Sequence, residues 1–271
     1  MRGRIWLVAI AALTITGTVG ACTRDDTPSP ASCRLLTPPS DPVAAGDTTG
    51  IRLAEQGHTT LHATNFSTVT IGAILENTTD KVAYHTRVTF DALGADGTST
   101  VQDTFHRYQI IEVPILLPKA KIPVGTTLAI NGTTTSDATI NFAVSQWLPV
   151  GDGNNGLAPI TATLVPDKTS SDSQGIGTIT YRTTSANCTD LVSRGSSYVL
   201  RDTAGTLLGG GIGAEPQDSG CDTDDDRFDN SFITAFAAIP KTADLAKTEV
   251  ASLCDLSKAT DDPHPSGGPL N

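Results

Sequence analysis

Basic residues are scarce in this chain. Its 271 residues hold 18 Lys and Arg against 29 Asp and Glu, a formal net charge of −11. That balance argues against nucleic acid as a partner and against a basic patch for anionic lipid, because both need clustered cations. Cysteines number only five, with no CxxC pair and no Cys/His cluster to recommend a zinc site. A GxSxG elbow is missing too, and five scattered histidines do not announce a catalytic triad. The glycine-rich stretch Gly205–Gly213, "GTLLGGGIG", lacks the Lys and Ser/Thr that follow the last glycine of a phosphate loop. It reads instead as a strand leaving a "DTAG" turn. Charged residues make up just 17% of the chain, while Thr, Val, Ile and Gly are plentiful. Such a mixture suits strands and tight turns better than helices.

Strongly apolar runs are absent except at the start, where Arg2 and Arg4 precede an apolar core from Ile5 to about Val19. The core is too short to span a bilayer comfortably and has the layout of an export signal. Val19, Gly20 and Ala21 then stand directly before Cys22, an order that resembles the lipobox of bacterial lipoproteins. The resemblance implies a diacylglyceryl group on the Cys22 sulfur and removal of residues 1–21 as a lipoprotein signal peptide. The mature chain would be held to the extracytoplasmic face of the cell membrane, with the lipid bilayer as partner through its acylated N-terminus. Each buried methylene of an acyl chain is worth about 0.8 kcal/mol, and two chains hold far more durably than one. Loss of Arg2 and Arg4 with the signal takes the charge from −11 to −13. Residues 22–50, dominated by Ser, Thr, Pro and Asp, cannot form a core and read as a flexible, disordered stalk.

Four further cysteines, Cys33, Cys188, Cys221 and Cys254, suggest two disulfides in an exported chain, with three possible pairings. Cys188–Cys221, both in the second half, is the favoured bridge. It leaves Cys33–Cys254 to strap the stalk to the C-terminal region.

From Ser67 onward, Val69, Ile71, Ala73 and Leu75 alternate with smaller or polar neighbours, "NTTD" breaks the run, and residues 83–90 alternate again. Two strands and a turn follow from that pattern, and "GADG" at Gly94–Gly97 supplies a second turn. Further strands are expected around 58–64, 99–105, 108–116 and 125–131, with Pro114, Pro118 and Pro123 confining that region to sheet edges or strand ends. After the linker "NGTTTSD", residues 175–211 repeat the order strand, break, strand and Gly turn. Gly72 and Gly97 are echoed by Gly177 and Gly205, which reads as a degenerate duplication of one β-sandwich unit. The Ala and Leu spacing of "TADLAKTEVASL", residues 242–253, is close to helical.

The pattern Gly72, Asn77, Val88, Phe90 and Gly97 resembles the FxLyD-type domain, a small immunoglobulin-like β-sandwich of prokaryotic surface proteins and lipoproteins. The match is good over residues 60–130 and poorer over the second half, where Asn77 has no counterpart. The fold class expected is therefore all-β, with two tandem immunoglobulin-like β-sandwich domains. Their bounds are 51–135 for the first, FxLyD-like sandwich and 136–256 for a more divergent second, followed by a disordered tail at 257–271. A residue usage rich in Ala, Gly, Thr and Asp resembles that of actinobacterial proteins. The FxLyD family carries no catalytic residues to transfer, so it implies a fold and a surface setting and no activity.

One dense carboxylate cluster remains, "CDTDDDRFDNS" from Cys221 to Ser231. Asp222, Asp224 and Asp226 alternate like the opening of a calcium loop, and with Asp229 they form the ligand set of a calcium alternative. Arg227 and Ile233 stand where an EF-hand needs Gly and Glu, so a solvated acidic loop is the first reading and no cofactor is assigned. His58 and His62 lie four apart on a probable strand, a separation of about 13 Å that two ligands of one ion cannot bridge. They join His85 and His106 as surface or cross-strand residues. The chain is thus expected to be a binding or scaffolding lipoprotein rather than an enzyme, meeting an unidentified extracytoplasmic protein or cell-envelope partner. Its alternative is a calcium- or small-ligand-binding surface lipoprotein that uses loop 222–229.

Overall fold

Alternation of apolar and small polar residues builds strands throughout. The computed structural model describes residues 36, 48–62, 66–132, 134–150, 160–187, 189–213, 221, 229–234 and 238–259, all within one compact unit, Cys33–Asn271. Among the described residues every long element is a strand, all strand pairs are antiparallel, and no helix is long and apolar enough to cross a membrane. The fold class is all-β, as the composition indicates.

The first sandwich comprises β1 (Ile51–His62), β2 (Ser67–Asn77), β3 (Lys81–Leu93), β4 (Ile110–Leu116), β5 (Lys121–Ile130) and β6 (Asp137–Pro149). One sheet runs β1-β2-β5 and the other β4-β3-β6. Val69, Ile71, Ala73 and Leu75 of β2 meet Val88, Phe90 and Ala92 of β3 in the core between them. The second sandwich repeats this connectivity with β7 (Thr161–Leu164), β9 (Gly177–Thr184) and β12 (Asn230–Ile233) facing β10 (Leu191–Arg201), β11 (Leu207–Ile212) and β13 (Glu249–Ala259). A two-residue β8 (Ser170–Ser171) adds to β9. The middle strands, β2 and β3 in one half and β9 and β10 in the other, are consecutive in the chain and lie in opposite sheets. The internal repeat therefore survives as topology even where its residues have diverged.

The expected boundary between residues 135 and 136 is corrected. β6 falls after it, yet pairs with β3 from Lys81↔Pro149 to Leu93↔Asp137, so the first sandwich ends at Pro149 and the second begins at Thr161. The composition break at "NGTTTSD" is a loop within the first sandwich. Two termini are also corrected: Leu36 of the expected stalk is buried and donates its N–H to Leu256 O at 2.9 Å, and β13 continues into the expected tail as far as Ala259.

Other local expectations divide. Pro114 and Pro123 sit in β4 and β5, both edge strands of their sheets, where a missing N–H is tolerated. Instead of a strand over 99–105, isolated bridges at Ser99 and Val101 lead into a 3-10 turn, Asp103–Gln109. Residues 242–253 are not helical either. The Asp244 side chain accepts from Ala246 N at 3.2 Å and caps a single 3-10 turn, after which β13 pairs with β10. That ladder, together with the β-branched Thr248 and Val250, outweighs the local Ala and Leu spacing.

Asn77 explains its own place in the motif. Its buried Nδ2 donates to Lys81 O (2.7 Å), Leu116 O (3.0 Å) and Leu117 O (3.1 Å), while Oδ1 accepts from Thr79 N (2.9 Å) and Thr79 Oγ1 (2.8 Å). One side chain thereby ties the β2–β3 turn to the end of β4.

The two sandwiches are joined back to back. Thr68, Thr70, Gly72 and Ile74, the face of β2 turned away from its own core, are buried, and Gly72 is paired with Gly125 of β5. Against them lies Gly209–Gly211 of β11. A Cβ on Gly125 would stand 2.6 Å from Gly211 N, and one on Gly72 would stand 2.6 Å from Gly209 C, so backbone meets backbone. Hydroxyls stitch the seam. Thr70 Oγ1 donates to Gly210 O (2.7 Å) and accepts from Gly210 N (2.9 Å), Gly125 N donates to Ser197 Oγ (2.9 Å), and Thr59 Oγ1 donates to Leu208 O (2.7 Å). A Gly125→Val substitution is expected to destabilise the protein by about 1–3 kcal/mol, the usual range for overpacking, read as a lowered urea midpoint.

Candidate ligand-binding site

A cleft of about 270 Å³ opens where the two sandwiches meet at their β4–β5 and β7–β13 ends. Ile115, Leu117 and Ile122 line it from the first sandwich, and Ile160, Val250 and Leu256 from the second. The walls are apolar because β4 is a buried edge strand whose Ile115 reaches past its own sheet into a core shared with Leu191, Cys221 and Leu256. Three polar residues, Lys121, Thr161 and Ser252, break that lining. Lys121 stands at the start of β5, and Ser252 lies on β13 with its Oγ shielded from solvent and without a hydrogen-bond partner in the protein. Sites of this kind, mostly apolar with a few polar groups at a domain junction, are where small ligands are usually held.

A disulfide stiffens one wall. Cys221 and Cys254 are bonded, with Cα atoms 5.7 Å apart. Cys254 is paired with Ser193 of β10, and Leu191 N donates to Cys221 O at 3.2 Å, so both cysteines are brought to the same end of β10. The expected bridges Cys188–Cys221 and Cys33–Cys254 are thereby corrected, since each would need a cysteine already used. Cys33 and Cys188 themselves lie outside the described residues, as does Cys22.

Of the acidic cluster, Asp222, Asp224 and Asp226 lie outside the described residues. Asp229 is described and is not an empty acceptor: Oδ2 takes Lys168 Nζ at 2.5 Å and Oδ1 takes Arg182 Nη2 at 2.6 Å. These two cations hold its carboxyl below the usual range. Its place in the calcium alternative is corrected, because a cation would have to displace both partners.

Four histidines, His58, His62, His85 and His106, are described, and no three metal-ligating side chains cluster among the described residues. His62 Nδ1 lies 3.2 Å from Ser67 Oγ. Exposed His106 is raised above its ordinary value by hydrogen bonding to Gln109, aided by Asp103. His85 is more than a cross-strand residue. It interrupts β3 at φ 50°, skipped by the ladders to both β4 and β6, which resume beyond it in unchanged register. Its Nδ1 stands 2.8 Å from Glu112 Oε1 and its Nε2 3.8 Å from Oδ2 of the fully buried Asp255, which Arg194 Nη2 approaches to 4.0 Å. The carboxylates address opposite nitrogens of the ring, so they cannot converge on one ion. They set β3 and β4 of the first sandwich beside β13 of the second. Nothing in the sequence around His85 signals a positive φ, which is uncommon for a non-glycine residue.

Comparison with known proteins returns no relative: no family model, no curated protein and no solved structure matches the chain. The site must be read from its own residues.

Arg201 provides a second electrostatic link across the seam. From β10 its Nη1 reaches Glu55 Oε2 of β1 and its Nε reaches Glu249 Oε1 of β13, each at 2.6 Å. Hydrogen bonding from Arg201 depresses the Glu55 pKa from its ordinary 4.5. A depressed carboxyl stabilises the fold above the unfolded value and ceases to do so as pH falls through the folded value. The melting temperature should therefore hold steady down to about pH 5 and fall below about pH 4.5, with Glu55→Gln flattening part of that fall. Separately, replacing both Cys221 and Cys254 by Ser removes a crosslink spanning 33 positions. The expected loss is about 3–4 kcal/mol in a denaturant melt, and reductant should produce the same loss in the unaltered protein.

Proposed function

We propose that the protein is a bacterial lipoprotein, tethered through a diacylglyceryl group on Cys22 to the extracytoplasmic face of the cell membrane, and that it serves as a binding module rather than an enzyme. The observation that carries this reading is the buried Cys221–Cys254 disulfide beside the cleft. Structural disulfides persist in oxidising compartments and are rare where thiols are kept reduced, so the bridge accords with the export signal and lipobox of residues 1–22. The fourteen positions from Cys22 to the anchored Leu36 give a tether of at most about 45–50 Å. That length would present the paired sandwiches clear of the membrane. The immunoglobulin-like, FxLyD-type reading of each sandwich is supported by the repeated strand order, and the cleft between them is the binding site this function requires.

A second bridge belongs to the same reading. With Cys221 and Cys254 joined, Cys33 and Cys188 are the two cysteines left for a second bridge in an exported chain. Mass spectrometry of the intact mature protein tests both claims. The expected product begins at Cys22, carries a diacylglyceryl mass and gives a Cys33–Cys188 linked peptide before reduction. A product with its leader uncut, or cut with a bare thiol at Cys22, would remove the lipoprotein reading.

A further inference from the structure

We infer that Asn131 is a site of spontaneous covalent modification, where the backbone nitrogen of Gly132 closes on the asparagine side chain and converts it to aspartate and isoaspartate. The pair sits in the turn that leaves β5, and both residues are exposed. Three observations carry this. First, the nucleophile is uncommitted: the Gly132 N–H donates to no acceptor among the described residues, whereas Asn131 N donates to Thr100 O at 2.7 Å. Second, the Asn131 side chain makes no hydrogen bond among the described residues, so nothing holds its carboxamide away from that nitrogen. Third, the approach is open, because no atom beyond the chain neighbours of Gly132 lies within 4 Å of where a Cβ would stand. Gly132 is at φ +88°, a region that glycine enters without steric cost. Comparable positions elsewhere are closed off. At Asp96–Gly97 the Gly97 N–H donates to Gly94 O at 3.0 Å, and Asp96 Oδ1 accepts from Thr98 N (3.0 Å) and Thr98 Oγ1 (2.8 Å). At Asn77–Thr78 the Thr78 N–H donates to Gly50 O at 2.8 Å, and the Asn77 side chain is held by the turn and by β4.

The reaction needs water alone as co-reactant. Solvent hydroxide removes the Gly132 amide proton, the nitrogen bonds to Asn131 Cγ, and Nδ2 takes a proton from water and leaves as ammonia, giving a cyclic imide. Water then opens the ring at Cγ to give aspartate, or at the main-chain carbonyl to give isoaspartate, whose chain runs through the former side chain. Either product carries a carboxylate that is ionised at neutral pH. Isoaspartate also lengthens the β5–β6 connection by a single carbon. None of this depends on the lipid at Cys22 or on the cleft, so the proposals fail separately.

The test ages the purified protein in mildly alkaline buffer, both folded and unfolded in urea, and fragments the tryptic peptide 122–168. That peptide also holds Asn141 of β6 and the other Asn-Gly pair, Asn155–Gly156, which lies outside the described residues. The folded protein should accumulate a form more acidic by a single charge, with aspartate and isoaspartate both present at position 131 and Asn141 unchanged. Its rate of formation should rise about ten-fold per pH unit, as the deprotonated fraction of a weakly acidic amide does. Asn131→Gln changes an exposed side chain without partners, so the variant should fold normally and lose the product at position 131. An Asn131 that stays intact in the folded protein while the urea-unfolded chain reacts there would overturn the proposal, because the fold would then be protecting the turn. Formation of aspartate without isoaspartate would overturn it too, since direct hydrolysis needs no Gly132 nitrogen.

Discussion

Backbone against backbone across a glycine-lined seam is the contact on which this architecture depends. A β-sheet has two faces, and a sandwich normally buries one and leaves the other in water. Here Gly72 and Gly125 on one sheet meet Gly209–Gly211 on the next, so the second faces of β2 and β10 are lost to solvent as well. Side chains at these positions would hold the sheets about 10 Å apart, the spacing of an ordinary sandwich core. Removing them lets Thr and Ser hydroxyls bond directly to the opposing main chain, which satisfies groups that would otherwise be buried without partners.

The cleft follows from that seam. Two repeats pressed together along β1, β2 and β5 on one side and β11 and β10 on the other diverge at their ends, and the gap is lined by whatever each repeat carries there. The first supplies the apolar β4–β5 corner, and the second supplies β7 and β13. Cys254 of the disulfide and Asp255, which faces His85 and Arg194, both lie on β13, so the strand that forms one wall is tied to the chain at Cys221 as well as to β10. A rigid wall keeps a cleft open without ligand, which lowers the ordering penalty when one binds.

Much of the fold was legible in the residues. The two-residue alternation of Val69, Ile71, Ala73 and Leu75, the proline positions and the paired Gly turns located the central strands and the repeat, because side-chain direction in a strand is a local property. The site was far less legible. Neither Ile115 nor Val250 differs in sequence from any other core residue. The one trace of the seam was the unusual run Gly209–Gly211, which reads as a flexible loop unless its counterpart at Gly72 and Gly125 is placed beside it. The disulfide and the helix-like stretch 242–253 were misread for a common reason: both were decided by the pairing of β13 with β10, a contact between segments about fifty positions apart.

By itself the sequence determined the strand-rich character and the acidic charge and pointed to the internal repeat, because composition and short-range periodicity are fixed before any chain segment meets another. Tertiary structure alone decided where the first sandwich ends, which cysteines bond and that a cleft exists. Those depend on which faces come together, and two faces with the same local pattern can be turned to water or to each other.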